Sequence, residues 1–269
     1  MAPSHRKRTG AQTTFKLSHP APVIYDFSDL STDGIKITIP PNSSWICHSH
    51  WHETAAACET LLPIQGHYML YSSFVFTHGS GSMTGPGTYP PTTEMYFRPE
   101  HLVRWQRDSK ADPGEAMGFE LKASDEVYAF YRQVCSVNQD AETYFQLPST
   151  PLWLRNIYKF WGWIPHIGAR VQAWLVAHLL WIQLRVIHSR NDYLEDEGMI
   201  PYTWYWRHVP APIYPPKKWV DRELRSRITI SRLVLKVCYW VGTKVLGMKA
   251  QYEEYEVDVA ESVLVDTKE

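Results

Sequence analysis

Cysteine is scarce. Cys47, Cys58, Cys135 and Cys238 are the only four in 269 residues, and they stand far apart. That is too few for a disulfide-dense secreted scaffold and offers no paired zinc-ligand spacing, so a reducing, cytoplasmic setting is expected. Charge of either sign is not in excess: 27 Lys and Arg against 28 Asp and Glu leave a net charge of -1. No basic surplus draws the chain to nucleic acid, and no zinc-finger, basic-zipper or arginine–glycine pattern occurs, which sets nucleic acid aside as a partner. A membrane span is also missing. The longest apolar stretch, VQAWLVAHLLWIQLRVI (171–187), carries Gln172, His178, Gln183 and Arg185 and falls short of the ~20 residues a span needs. The opening MAPSHRKRTGAQTTF has no apolar centre, so residues 1–19 read as a disordered leader and not as an export signal. Two further absences narrow the chemistry. The glycines of THGSGSMTGPGT lack the lysine of a phosphate-binding loop, and no G-x-S-x-G elbow supports a hydrolase.

Apolar and aromatic residues are plentiful, at 44% and 14%, which is enough for a large core. Between residues 20 and 123 they fall into short runs: VIYDF, IKITI, SSWICHSHW, ETLLPI, HYMLYSSFVFT, EMYF, LVRWQ and MGFEL. Turn material such as STDG, PPN, IQG and ADPG separates them, so the segment reads as eight strands of a barrel or sandwich. From Ser124 the periodicity becomes helical. SDEVYAFYRQVCSVNQ opens with a capping serine and two acids, Thr150-Pro151 starts a second helix, and a third covers about 166–189. The proline-rich GMIPYTWYWRHVPAPIYPPKK reads as a loop. A basic amphipathic helix over about 219–247 follows, with Ile228, Cys238 and Gly242 on its apolar stripe and Arg225, Arg232 and Lys236 off it. Residues 124–252 thus form a helical extension, and 253–269 an acidic tail.

The stretch WICHSHWHET (45–54) is the densest in chemistry. Strand alternation places Ser44, Ile46, His48, His50 and His52 on one face and Cys47, Ser49 and Trp51 on the other. Three imidazoles on one face serve either as metal ligands or as pocket wall.

With its lead, PPNSSWICHSHWHET resembles the first motif of the cupin family, in the form found in fungal cupin-like proteins of natural-product pathways. His50, His52, Glu59 and Gly66 stand at the motif's positions. The resemblance covers about residues 30–122 and implies a mainly β fold with α: a cupin-like β-barrel, or jelly roll, followed by the helical extension. It also implies a metal site built from His48, His50, His52 and Glu59. Two departures argue against that site. Six residues separate His52 from Glu59 where the motif has three or four, which displaces the carboxylate. The second motif is best matched by residues 99–104, where Arg104 occupies the histidine position and cannot ligate a cation.

A barrel end stripped of metal is still a pocket for a hydrophobic small molecule. Its expected wall is His48, His50, His52, Tyr68, Tyr71, Phe97, Arg104, Trp105 and Phe119. Such a pocket, with no cofactor, fits an isomerase or cyclase acting on a terpenoid or polyketide, for instance a pericyclase of the Diels–Alder kind. Arg104 would hydrogen-bond a conjugated carbonyl, and His50 and His52 would supply further polar or proton-transfer groups. Two other readings stay open: a metal-dependent dioxygenase, and a lipid- or partner-binding protein held at an internal membrane surface by the helices at 166–189 and 219–247. Pairing into a homodimer is likewise open.

Overall fold

The computed structural model describes residues 9–18, 21–28, 34–52, 59–66, 68–74, 84–88, 95–97, 101–107, 114–122, 124–147, 149–191, 193–195, 217–252 and 255. Ten strands come first: β1 (Thr14–Leu17), β2 (Val23–Asp26), β3 (Gly34–Ile39), β4 (Ile46–His52), β5 (Glu59–Gln65), β6 (Tyr68–Phe74), β7 (Thr84–Thr88), β8 (Met95–Phe97), β9 (His101–Arg107) and β10 (Met117–Lys122). They form two antiparallel sheets, of order β1-β2-β3-β10-β5-β8 and β11-β4-β9-β6-β7, where β11 (Tyr193–Glu195) is a late addition. Eight consecutive strands, β3 to β10, alternate between the sheets as β3-β10-β5-β8 and β4-β9-β6-β7, which is the winding of a jelly roll. Among the described residues no strand pair joins the two sheets. Among the described residues the expected barrel is thus two sheets with no pairing that closes them.

Alternation explains which side chains fill it. On β3, Ile35, Ile37 and Ile39 are buried while Lys36 and Thr38 are partly exposed. Met117, Phe119 and Leu121 of β10, Leu61 of β5, and Val103 and Trp105 of β9 complete the inner layer. Two turns show why particular residues stand where they do. Gly66 closes β5 at φ +80, and a Cβ there would lie 3.0 Å from the Ala116 carbonyl oxygen, so the glycine of the first motif has a steric basis. Asn42 takes φ 60 in the PPN turn, a conformation that asparagine tolerates better than most residues.

Part of the expected leader is ordered structure. Phe15 of β1 is fully buried and meets Phe27 edge to face at 5.5 Å. Arg132 reaches from the first helix to the carbonyls of Thr9, Gly10 and Gln12, and so fastens this segment to the body of the protein.

Helix α1 (Asp125–Asp140) begins where its capping serine predicts: Ser124 Oγ accepts from the Val127 N–H, and Asp125 and Glu126 occupy the first turn. A 3-10 turn (Ala141–Gln146) leads to α2 (Leu152–Gly162) and α3 (Gly168–His188). Pro151 caps α2 without a side-chain bond, and the Thr150 hydroxyl donates instead to the Tyr144 carbonyl. The hairpin between α2 and α3 is tight, because a Cβ on Gly168 would collide with the Trp161 carbonyl. Gln172 Nε2 also donates to the Tyr158 carbonyl at 2.9 Å. Helix α4 (Lys217–Trp240) ends in a π-helical turn (Val241–Val245) and buries Ile228 and Cys238, as the stripe predicts, while leaving Val245 exposed.

The extension is not purely helical, because β11 returns to the second sheet and pairs with β4. Nor is its core separate: Tyr131, Ile187, Tyr193, Tyr252 and Tyr255 share one apolar cluster with the strands. Tyr255, within the expected acidic tail, is buried and donates to Asp140 Oδ2 at 2.7 Å; residues 253–254 and 256–269 of that tail lie outside the described residues.

Candidate functional site

The chemistry-bearing side chains collect where α1 and β11 meet the sandwich. The pairing of β4 with β9 shifts register between Cys47 and His50. Such a bulge turns the strand by one residue, so Trp45, Cys47 and His50 are all buried although strict alternation would separate Cys47 from His50. This corrects the expected division of the strand's faces. The Cys47 Sγ lies 3.6 Å from His50 Nδ1. On the ring's other side, His50 Nε2 lies 3.6 Å from Glu59 Oε2. Glu59 opens β5 on the same inward face as Leu61, so the long spacing after His52 does not displace its carboxylate from His50. Tyr131 of α1 donates its hydroxyl to Glu59 Oε1 at 3.1 Å. Tyr193 of β11 stacks on the His50 ring, with centroids 4.5 Å apart and planes at 16°.

The four groups form one line, Tyr131–Glu59–His50–Cys47, closed off from solvent. Burial alone disfavours a charged His50, but Cys47 and Glu59 outweigh it, and the imidazole pKa stands well above its usual 6.5. Burial, reinforced by Glu59, holds the Tyr131 phenol well above its ordinary range, and burial does the same for Tyr25, with help from Cys135, Cys47 and Glu59. Both tyrosines therefore keep their protons. The assembly sets an imidazole, whose protonated form its neighbours favour, between a carboxylate and a thiol, with a phenol donating to that carboxylate, and it can hold a proton within the core.

The remaining sequence candidates separate. Trp105 and Phe119 are buried together, 4.5 Å between centroids, with Trp45 4.9 Å from Trp105; they pack the sandwich interior. Arg104 lies between Val103 and Trp105, both turned into the core, so the pleat directs it to the opposite face of β9, where it is half-buried. That face is the one opposite the inner layer to which His50 belongs. The side chains of His48, His52, Tyr68, Tyr71 and Phe97 lie outside the described residues; by backbone register His52 faces Tyr193 on β11 and Tyr71 faces Arg104 on β9. Sequence reasoning missed Cys47, Tyr131 and Tyr193 as neighbours of His50. Nothing local signals a bulge in ICHSHWH, and Tyr131 and Tyr193 arrive from 72 and more residues downstream of Glu59.

Among the described residues no group of three or more His, Cys, Asp or Glu side chains is placed to hold a metal ion. No helix among them is long and apolar enough to cross a membrane.

No protein-family model matches the chain, and no curated protein matches it. Solved structures do align with part of the chain. The cupin domain of Drosophila melanogaster CENP-C is 7% identical over 45% of this chain and 84% of that one, with a TM-score of 0.29. An RmlC-like cupin family protein with a double-stranded β-helix fold, from Methanocaldococcus jannaschii, is 16% identical over 41% and 78%, TM-score 0.24. A predicted oxalate decarboxylase from Thermotoga maritima is 10% identical over 42% and 92%, TM-score 0.28. Values this low establish neither family nor activity for this chain, and the jelly-roll winding rests on its own strand order.

Proposed function

We propose that the chain is a cupin-type jelly-roll enzyme that carries out a cofactor-independent isomerisation or cyclisation of a hydrophobic terpenoid or polyketide intermediate. The observation that carries this reading is the buried line Tyr131–Glu59–His50–Cys47. Burial combined with an opposed charge is how a protein poises an acid–base pair. In a double-bond shift, a base removes a proton from carbon beside a carbonyl and the conjugate acid returns it at another carbon, so atoms and electrons balance without an oxidant. Glu59 is the base that takes the proton from carbon, His50 in its charged form is the acid that delivers one to the other carbon, and transfer from the Glu59 carboxyl to the neutral His50 across their 3.6 Å contact restores both. Tyr131 fixes the carboxylate, and Tyr193 fixes the plane of the ring. Cyclisation asks the same group for a hydrogen bond to a conjugated carbonyl in a dry site.

Solvent deuterium tests this without knowledge of the natural substrate. The purified protein is incubated in heavy water with a panel of conjugated apolar carbonyl compounds, and label or a shifted isomer is read by mass spectrometry. Label that enters in the presence of a chelator and is lost in His50→Asn supports the reading. Turnover that needs a metal, or that survives His50→Asn, overturns it.

One observation favours a second reading, the metal-dependent oxygenase. Two ligands bonded at ~2.0–2.2 Å on a tetrahedral ion stand about 3.3–3.6 Å apart, and His50 Nε2 and Glu59 Oε2 are separated by 3.6 Å. These two residues fit a metal's edge. Cys47 lies at the other ring nitrogen and cannot join the same ion, so that reading draws its remaining ligands from His48 and His52. Elemental mass spectrometry distinguishes the two: one metal per chain, lost in His50→Ala, favours the oxygenase.

A further inference from the structure

The α2–α3 hairpin turns its apolar side outward. Along α2, Trp153 is 50% exposed, Ile157 40% and Phe160 62%, and just past its end Trp163 is 88% exposed. Spacings of four, three and three residues put them on one line of the helix. The opposite line, Leu154 and Tyr158, packs inward, with Tyr158 stacked on Phe145 at 3.9 Å. Helix α3 continues the pattern: Trp174 is exposed in its first half, whereas Leu179, Val186 and Ile187 of its second half are buried. The hairpin thus presents its aromatic tip away from the two cores. Isolated exposed apolar residues are ordinary, but a contiguous aromatic stripe on a folded helix marks a contact surface.

Charge indicates which contact. From Thr143 to Asn191 the sequence has no Asp or Glu, and its formal charges are Arg155, Lys159, Arg170, Arg185 and Arg190. Arg155 and Lys159, four residues apart, flank the outward stripe of α2 on one side. A protein of net charge -1 thus carries cations and no anions along the segment that holds Trp153, Trp161, Trp163, Trp174 and Trp181. Tryptophan with flanking Lys and Arg is the composition suited to headgroup depth in a bilayer, where indole sits at the polar–apolar boundary and cations meet anionic lipid. With no helix able to cross a bilayer among the described residues, such a hairpin lies in the interface. Its shape is set in advance by the Gly168 contact and by the Gln172 bond to Tyr158.

We infer that the α2–α3 hairpin docks the protein on an anionic membrane surface, inserting Trp153, Phe160 and Trp163 among the headgroups with Arg155 and Lys159 against their charge. The sequence suggested such a contact for the helices at 166–189 and 219–247; the hairpin adds α2 to the first of these, while Leu233, Val237 and Trp240 of the second are exposed as well. The docking is independent of the reaction proposed for His50, since neither test touches the residues of the other.

Flotation of the full chain with phosphatidylcholine vesicles, with and without phosphatidylserine, tests it. Binding is expected with the serine lipid, weakening with salt. The single variant Trp163→Ser and the pair Trp153→Ser/Phe160→Ser should each reduce partitioning, the pair by about tenfold or more. Arg155→Glu/Lys159→Glu should abolish the preference for anionic lipid. Trp163 has almost no packing to lose, so its variant keeps the test valid if the pair fails to fold. Failure to float, or flotation unchanged in all variants, overturns the inference. So does a self-association in light scattering that the same variants abolish while lipid binding is absent, which would assign the face to a second copy of the chain.

Discussion

Replacing Glu59 by glutamine isolates the electrostatics of the buried line. The amide keeps the shape and can still accept from Tyr131, but His50 loses its counter-charge. At the observed 3.6 Å, Coulomb's law with an effective dielectric near 20 gives about 4–5 kcal/mol. Desolvation offsets part of this, and removing one partner of a buried pair typically costs about 3–5 kcal/mol. A loss of about 3 kcal/mol at about pH 6 is expected on that basis. The pH dependence is the sharper signature. His50 has its folded pKa raised above the unfolded 6.5, so its contribution is complete below 6.5 and is lost as pH rises through the folded value. Within that window one proton changes stability by at most about 1.4 kcal/mol per pH unit. The gap between wild type and Glu59→Gln should therefore be widest in mild acid and close as pH rises. Urea titrations of both proteins from about pH 6 to about pH 9 measure it directly. A gap that stays constant with pH, or never exceeds about 1 kcal/mol, would show that His50 and Glu59 do not share a proton-dependent charge in the fold.

Trp105→Ala empties the middle of the sandwich beside Trp45 and Phe119 and should cost about 3–5 kcal/mol in urea unfolding; a loss below about 1 kcal/mol would mean the sheets close over the gap. Alkaline behaviour should also be marked. Burial raises Cys135 well above its ordinary 9.0, although Arg132 opposes it, and holds Tyr25 and Tyr131 well above 10.0. For all three the sign is the same: stability falls as pH climbs past the unfolded values. Phenolate absorbance at high pH should show a class of tyrosines that ionises only with unfolding, and Cys135 should react with a disulfide reagent only in denaturant; fast native reaction at that thiol would refute its burial.

The strands were legible because each inner face is a run of β-branched and aromatic residues with period two, and Ile35, Ile37 and Ile39 are buried as that pattern requires. Ser124 announced α1 for an equally local reason. What local reading could not reach was tertiary in origin. Strand β1 reads as leader because the polar, basic opening of the chain has no apolar centre, and it becomes a strand by pairing with β2. Strand number left barrel and sandwich open and the cupin resemblance implied the barrel, whereas closure depends on pairings at the sheet edges, none of which occurs among the described residues. At the site, the motif brought forward His50 as a candidate and Glu59 only as an alternative metal ligand with a displaced carboxylate, and what surrounds them depends on a bulge and on residues brought back by α1 and β11. Arg104 was chosen by its place in a motif, while its orientation is set by the pleat between Val103 and Trp105.

The order of strands has a kinetic consequence. In the first sheet β10 fills the slot between β3 and β5, and in the second β9 fills the slot between β4 and β6. The last two strands of the jelly roll to leave the ribosome are thus central ones. Until Arg107 has been made the second sheet has a gap at its middle, and until Lys122 the first does, so that Ile35, Ile37, Ile39 and Leu61 have no neighbour on that side. Pairing of Ile39 with Met117 then closes a long loop in one step, a high-contact-order event that makes folding slow and cooperative. A chain stopped short of β9 cannot form half of this fold, and its unpaired edges are where a nascent or truncated form would aggregate.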